Sequence, residues 1–323
     1  MLLLQVYAKS AETEARGATP YPRRKPASIY LYMATMVWLL YRYDRHVLLT
    51  IGTRLPITSV DQARPPMDLR GAYDVWHRRI FLQNPMHDDG SAPWYQLVRE
   101  YLGNVSGLRV LEVACGRGGF VRALEQAGAR VTGCDFSMEA LRAARGKLAG
   151  WNTGRASCLV QGDIQCLPFA ENTFELVIDC ETIEHVPDEQ SALREMYRVT
   201  RPGGKLLLTT PNYVNMMGAY EVYCKLRHPG HKDDQPFDRR QSFVHILRRM
   251  RSAGWSILCT DGTVHQFPVL PGRNPWRWKG LEASPQMRKL LSPIALHYFV
   301  MAEKANDSGN GQVASTGVHL GPQ

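Results

Sequence analysis

Three side chains within five positions have the chemistry to move a proton or hold a cation: Glu181, Glu184 and His185, in Glu181-Thr-Ile-Glu-His185. If this turn begins a helix, they stand at i, i+3 and i+4 on one face. A neutral imidazole there can take the proton of a hydroxyl. Two carboxylates and one imidazole also suit Mg²⁺, Mn²⁺ or Fe²⁺. A second set of acids lies upstream. Glu112 precedes the glycine-rich turn Ala114-Cys-Gly-Arg-Gly118, and Asp135 follows Glu112 by 23 residues. A carboxylate just before such a turn repels phosphate and suits a ligand that carries a cationic amine. An acid at the distance of Asp135 is placed to accept from ribose hydroxyls in an α/β nucleotide fold.

These residues need rigid elements to carry them. Val110-Leu-Glu-Val113 reads as a buried parallel strand whose C-terminal end opens over a helix N-terminus, where open α/β sheets bind ligands. A dinucleotide turn needs a third glycine where Val121 stands, so a pyrophosphate is not the natural occupant. Arg130 to Asp135 is a second strand, with Ser137 as the N-cap of the next helix. Phe174 to Asp179 is a fourth strand, with Cys180 and Glu181 at its tip. A helix from about Asp188 to Val199 is stopped by Pro202, and Lys205 to Thr210 is a fifth strand. Phe243, Ile246, Leu247 and Met250 mark an amphipathic helix that Gly254 ends; Trp255 to Asp261 and His297 to Glu303 complete seven strands. The fold class is α/β, a doubly wound, seven-stranded, mostly parallel sheet with helices on both faces.

The glycine turn resembles motif I of the class I S-adenosylmethionine-dependent methyltransferases, an acid followed by G-x-G-x-G, with Ala114 at the first glycine. Cys158-Leu-Val-Gln-Gly-Asp-Ile-Gln165 resembles the family's third acidic motif, and Pro202-Gly-Gly204 before an apolar strand is a further likeness. Together they run from about Leu108 to Asn212. The resemblance implies S-adenosyl-L-methionine as cofactor. Glu112, Ala114, Gly116 and Gly118 would hold its methionine end, with Cys180 beside them. Asp135 would take the ribose, Phe136 would pack on the adenine, Asp163 would accept from the adenine amino group and Ile164 would cover the ring. Helices between Met67 and Gly107 would cap the cofactor.

The E-x-x-E-H pattern is similar to that of ubiquinone-biosynthesis O-methyltransferases and of small-RNA 2′-O-methyltransferases. The latter share a segment like Thr210-Pro-Asn-Tyr213 and use a later histidine as metal ligand, which would be His231 here. A Mg²⁺ site of Glu181, Glu184, His185 and His231 is therefore one expectation. The Glu-His-Val-Pro sequence also occurs in methyltransferases that hold no metal, where His185, with Glu184, would act as base or orient the acceptor. The expected reaction is O-methylation of a small molecule, lipid precursor or glycan. RNA 2′-O-methylation, C-methylation of a quinone precursor and a non-catalytic cofactor-binding scaffold stand as alternatives.

Of 323 residues, 39 are Lys or Arg and 30 are Asp or Glu, a formal charge of +9. The basic residues are scattered, without the run and interleaved aromatics expected of a nucleic-acid face. The seven cysteines are odd in number and contain no C-x-x-C, so they read as reduced residues of a cytoplasmic protein. The methyltransferase domain is expected over residues 67–304. Residues 1–66 form an extension whose uncharged stretch 26–41 is shorter than the roughly 18 residues a membrane span needs. It reads as an interfacial segment for peripheral membrane contact, a substrate-side lid, or a part outside the fold. Residues 305–323, rich in Gly and Ser, are expected to be a disordered tail.

Overall fold

Apolar side chains on both faces of Val110-Leu-Glu-Val113 require a strand covered from both sides, and the computed structural model has it there: β1 (Arg109–Val113), with Val110, Leu111 and Val113 buried. The structure describes residues 68–83, 91–149, 158–213, 215, 235–239, 241–267 and 276–306, all within one unit spanning residues 65–323. Around β1 lie β2 (Arg130–Asp135), β3 (Cys158–Gln161), β4 (Phe174–Cys180), β5 (Thr200–Pro211), β6 (Ser256–Thr263) and β9 (His297–Glu303). Their order in the sheet is β3-β2-β1-β4-β5-β9-β6. Pairing is parallel from β3 through β5, and β9 runs antiparallel to both of its neighbours. A short ribbon of β7 (Gln266–Phe267) and β8 (Trp276–Arg277) lies outside this sheet.

Helices cover both faces. On one side α2 (Pro93–Leu102), α3 (Gly119–Gln126) and α4 (Met138–Ala149) bury Val98, Tyr101, Phe120, Leu124 and Leu141. On the other, α5 (Glu189–Val199) and α6 (Phe243–Ser252) bury Leu193, Met196, Ile246 and Met250. The first helix, α1 (Leu69–Gln83), stands before α2, and the short α7 (Lys279–Glu282) and α8 (Pro285–Leu291) precede β9. Asp188 caps α5 by accepting from the backbone N–H groups of Gln190 and Ser191 at 3.1 Å each. A buried network joins α2, β6 and α8: Tyr101 donates to Asp261 at 2.7 Å, and Arg288 reaches Asp261 at 3.3 Å and also Glu100.

Two boundaries differ from the sequence reading. Strand β5 starts at Thr200 instead of Lys205, because Thr200 already pairs with Phe174 and a bulge between Phe174 and Leu176 absorbs the Pro-Gly-Gly segment. Strand β6 runs on to Thr263, since Gly262 and Thr263 pair with Tyr298 and His297. The extension 1–66 with its stretch 26–41, His231 and the tail beyond Asn306 lie outside the described residues. Among the described residues, no helix is long and apolar enough to cross a membrane.

Candidate active site

The C-terminal ends of β1, β2 and β4 open into one cleft, roofed by α1. Of the residues singled out from the sequence, Ala114, Gly116, Asp135, Phe136, Asp163, Ile164, Cys180, Glu181 and His185 line it. Glu112 lies buried below the rim at the end of β1, and its charge, after burial itself, raises the Cys180 thiol well above its usual range. Gly118 and Glu184 are behind the wall.

The backbone of the glycine turn explains its composition. Gly116 and Gly118 have φ of 52° and 70°, in the left-handed region. A Cβ at Gly118 would meet the Ala144 Cβ and Leu148 Cδ1 at 3.3 Å, so the turn also packs tightly on α4. Ala114 adopts φ 47° as well, a glycine conformation with a side chain in it. Asp135 braces the turn. Its carboxylate accepts from Gly116 N–H at 3.0 Å and Ser137 N–H at 2.8 Å. Asp163 accepts from the backbone N–H of Gln165 at 2.8 Å.

Helix α1 is tied down at this end of the cleft. Asp74 accepts from the Ser137 hydroxyl at 2.5 Å, and Ser137 in turn accepts from Ala140 N–H in the first turn of α4. Tyr73 packs on Phe136 with ring centroids 5.3 Å apart, and Trp76 and His77 meet edge to face beside it along the cleft wall. The cap expected before the first strand is therefore α1, and α2 packs elsewhere, with Tyr95 stacked on Phe120.

The Glu181–His185 turn differs from the expected helix. Only Ile183–His185 forms a single 3₁₀ turn, and Glu181 precedes it with φ 56°. The three side chains consequently diverge. Glu181 reaches His297 Nδ1 at 2.7 Å. Glu184 is buried and accepts from Thr210 Oγ1 at 2.8 Å. Burial, followed by the charges of Glu181 and Asp238, pushes the Glu184 carboxyl well above the usual carboxylate range. His185 lies with Nδ1 2.8 Å from the Phe237 carbonyl and Nε2 3.5 Å from Glu184 Oε1. A carbonyl only accepts, so Nδ1 carries the proton and Nε2 keeps its lone pair. Burial holds the imidazole below its ordinary pKa, in the neutral form. Among the described residues no group of three or more His, Cys, Asp or Glu is arranged to hold a metal ion.

Sequence reasoning missed the segment that holds His185 and the partner of Glu181. Phe237 acts through a backbone oxygen, which leaves no trace in residue type. His297 is 116 positions from Glu181 and enters the site only because β9 inserts antiparallel beside β5.

Comparison with known proteins agrees with this geometry. A family model described as a methyltransferase domain matches residues 111–208. Demethylmenaquinone methyltransferase of Mycolicibacterium paratuberculosis is 34% identical over 162 residues, covering 49% of this chain and 67% of the relative. The ubiquinone/menaquinone biosynthesis C-methyltransferase UbiE of Legionella pneumophila is 31% identical over 160 residues, covering 46% of this chain and 64% of the relative. The crystal structure of the cyclase SpnF, at 18% identity, covers 76% of this chain and 98% of its own with a TM-score of 0.53, a likeness of fold alone. The chain belongs to the class I S-adenosylmethionine-dependent methyltransferases.

Proposed function

We propose that this chain transfers the methyl group of S-adenosylmethionine to a hydroxyl of a small molecule, a lipid precursor or glycan included, with His185 as the base. The observation that carries this reading is the neutral His185 at the cleft, its Nδ1 proton committed to the Phe237 carbonyl and its Nε2 lone pair left to accept. In the reaction the acceptor hydroxyl gives its proton to Nε2 and the oxygen attacks the methyl carbon. The carbon–sulfur bond would break as the carbon–oxygen bond forms, leaving neutral S-adenosylhomocysteine. Positioning of donor and acceptor supplies most of the rate in such a displacement.

On this reading Glu112, Ala114 and the Gly116–Gly118 turn hold the methionine end, with Cys180 beneath it. Asp135 takes the ribose hydroxyls, Phe136 and Ile164 sandwich the adenine and Asp163 accepts from its amino group. The lining of the cleft by most of these residues supports the assignment. Burial raises the Glu184 carboxyl above the usual carboxylate range, and its Oε1 lies 3.5 Å from Nε2. Activity should survive EDTA, and its loss in chelator would return Glu181, Glu184 and His185 to a ligand role.

A second reading places the methyl on carbon. It is favoured by the names of the relatives, a demethylmenaquinone methyltransferase and a ubiquinone/menaquinone C-methyltransferase. Removing the proton of a ring hydroxyl also enriches the ring carbons, so the same base serves both. The experiment is a screen of phenols and hydroquinones with ¹³C-methyl cofactor, reading the product methyl by NMR. An O-methyl signal supports the first reading and a C-methyl signal the second. His185→Gln should lower turnover by roughly 10²- to 10⁴-fold, the span of general-base contributions. Undiminished turnover would remove His185 from the chemistry.

A further inference from the structure

We propose that Glu189 is a positioning residue for His185, acting through the strap formed by residues 235–239 and Gln241. A glutamate in the first turn of a helix ordinarily points to solvent, where it needs no partner. Glu189 is instead 2% exposed, and a carboxylate so buried must be compensated. It collects donors from two directions. On the α6 side His245 Nε2 lies 2.5 Å and Arg249 Nε 3.0 Å from Oε1. On the strap side Gln241 Nε2 lies 3.0 Å and Arg239 Nη1 3.5 Å from Oε2. Asp188 already caps α5, so Glu189 is not needed for that purpose.

The strap in turn grips the turn that carries His185. Arg239 donates its backbone N–H to the Glu184 carbonyl at 2.8 Å and its guanidinium to the Pro187 carbonyl at 2.5 Å. Gln241 reaches the Ile183 carbonyl at 3.4 Å. These contacts bracket His185 from both sides, and two residues before Arg239 the Phe237 carbonyl meets Nδ1. The clamp at Glu189 therefore sets where that carbonyl stands, and the carbonyl sets which ring nitrogen keeps a lone pair.

The proposal rests on the reading of His185 as base for its consequence in catalysis, but its test does not need turnover. The full chain, labelled with ¹⁵N-histidine, gives the tautomer of each ring by long-range ¹H–¹⁵N correlation, with His185 assigned by its loss in His185→Gln. In the native protein His185 should show a protonated Nδ1 and a bare Nε2. Glu189→Gln should bring up the opposite tautomer to a comparable population, and Glu189→Asp, which keeps the charge, should restore the native pattern. Gln241→Leu cuts the same clamp from the strap side, in case Glu189→Gln does not fold. Glu175→Gln, at the far end of β4 where Glu175 holds Arg109 and Arg201, is the control that should leave His185 unchanged. Where turnover is measurable, Glu189→Gln should lower kcat/KM roughly 10- to 100-fold, as loss of an orienting partner does. A native His185 spectrum in folded Glu189→Gln and Gln241→Leu would overturn the proposal. The expected tautomer change in Glu189→Gln, together with full activity in His185→Gln, would instead overturn the role of His185 as base and leave the clamp standing.

Discussion

Tyr73 and His185 share a single acceptor: the Tyr73 hydroxyl lies 3.0 Å, and His185 Nδ1 2.8 Å, from the carbonyl oxygen of Phe237. A carbonyl has two lone pairs, so both donors can be served at once. The consequence is that α1, which roofs the cleft, and the histidine on its floor are held to one point. Burial pushes the Tyr73 phenol far above its ordinary pKa, so it remains a donor at every working pH. The Phe237 carbonyl that sets the His185 tautomer thus gathers two side chains that lie 164 and 52 positions from it along the chain.

This arrangement predicts the pH dependence. The neutral imidazole is the working form, and burial lowers the His185 pKa from 6.5. The acid limb of kcat/KM should therefore fall below pH 6.5, with activity retained where an exposed histidine would already be charged. A pH–rate profile checks it, and a midpoint at or above 6.5 would count against the assignment. Protonating His185 at lower pH fills the Nε2 lone pair, so turnover should then drop about tenfold per pH unit.

Asp135 carries a prediction about the cofactor. Its two oxygens already hold Gly116 and Ser137, so any ribose must share a carboxylate that is structurally engaged. Asp135→Asn keeps the shape and one acceptor but loses the charge. Affinity for S-adenosylhomocysteine should weaken by about 1.5–3 kcal/mol, the range for hydrogen bonds to charged groups, or roughly 10- to 150-fold in Kd. Calorimetric titration reads this directly, and urea unfolding of the free variant separates the part due to a loosened turn. Unchanged affinity would sink the ribose assignment.

How much of this was legible in the sequence depends on the range of each interaction. The strands and helices were, because Val110-Leu-Glu-Val113 and the Leu193, Met196, Val199 repeat state their burial in residue type. The cleft was also legible, because its lining residues sit at strand tips whose order follows from the fold. The turn at Glu181 was not. Helical spacing of Glu181, Glu184 and His185 was a true property of the sequence, yet Glu181 takes φ 56° because its N–H bonds to the Thr209 carbonyl at 2.9 Å and its carboxylate is drawn to His297. Tertiary partners outweighed local periodicity there. The strap was illegible for a different reason: its working atom is a main-chain oxygen.

Asp179 makes a prediction about stability. It lies fully buried near the end of β4, and burial raises its pKa from 3.8 to about 8. The folded protein therefore binds this proton more tightly than the unfolded chain does. The resulting stabilisation is complete below pH 3.8 and is lost as pH rises through about 8. Between pH 5 and 8 the loss from this group reaches up to about 4 kcal/mol, at roughly 1.4 kcal/mol per pH unit. Asp179→Asn has no proton to lose. Its stability relative to the native protein should climb over that interval, as read from urea midpoints at pH 5, 6.5 and 8. Parallel pH curves for the two proteins would show that Asp179 ionises as it does in the unfolded chain.

Ala114 offers the sharpest separation of strain from function. Its φ of 47° puts a Cβ against the following carbonyl, a conformation costing roughly 1–2 kcal/mol for a residue with a side chain. Glycine removes that clash but adds freedom to the unfolded chain, which takes back roughly 0.5–1 kcal/mol. Ala114→Gly should therefore stabilise the fold by up to about 1.5 kcal/mol. Urea unfolding at constant pH measures this, since the change exposes no new surface and should leave the denaturant slope unaltered. Affinity for S-adenosylhomocysteine should change little, because the turn keeps its path and only its strain is relieved. Destabilisation instead would mean that the Ala114 methyl contributes more by packing against the cleft wall than its backbone conformation costs.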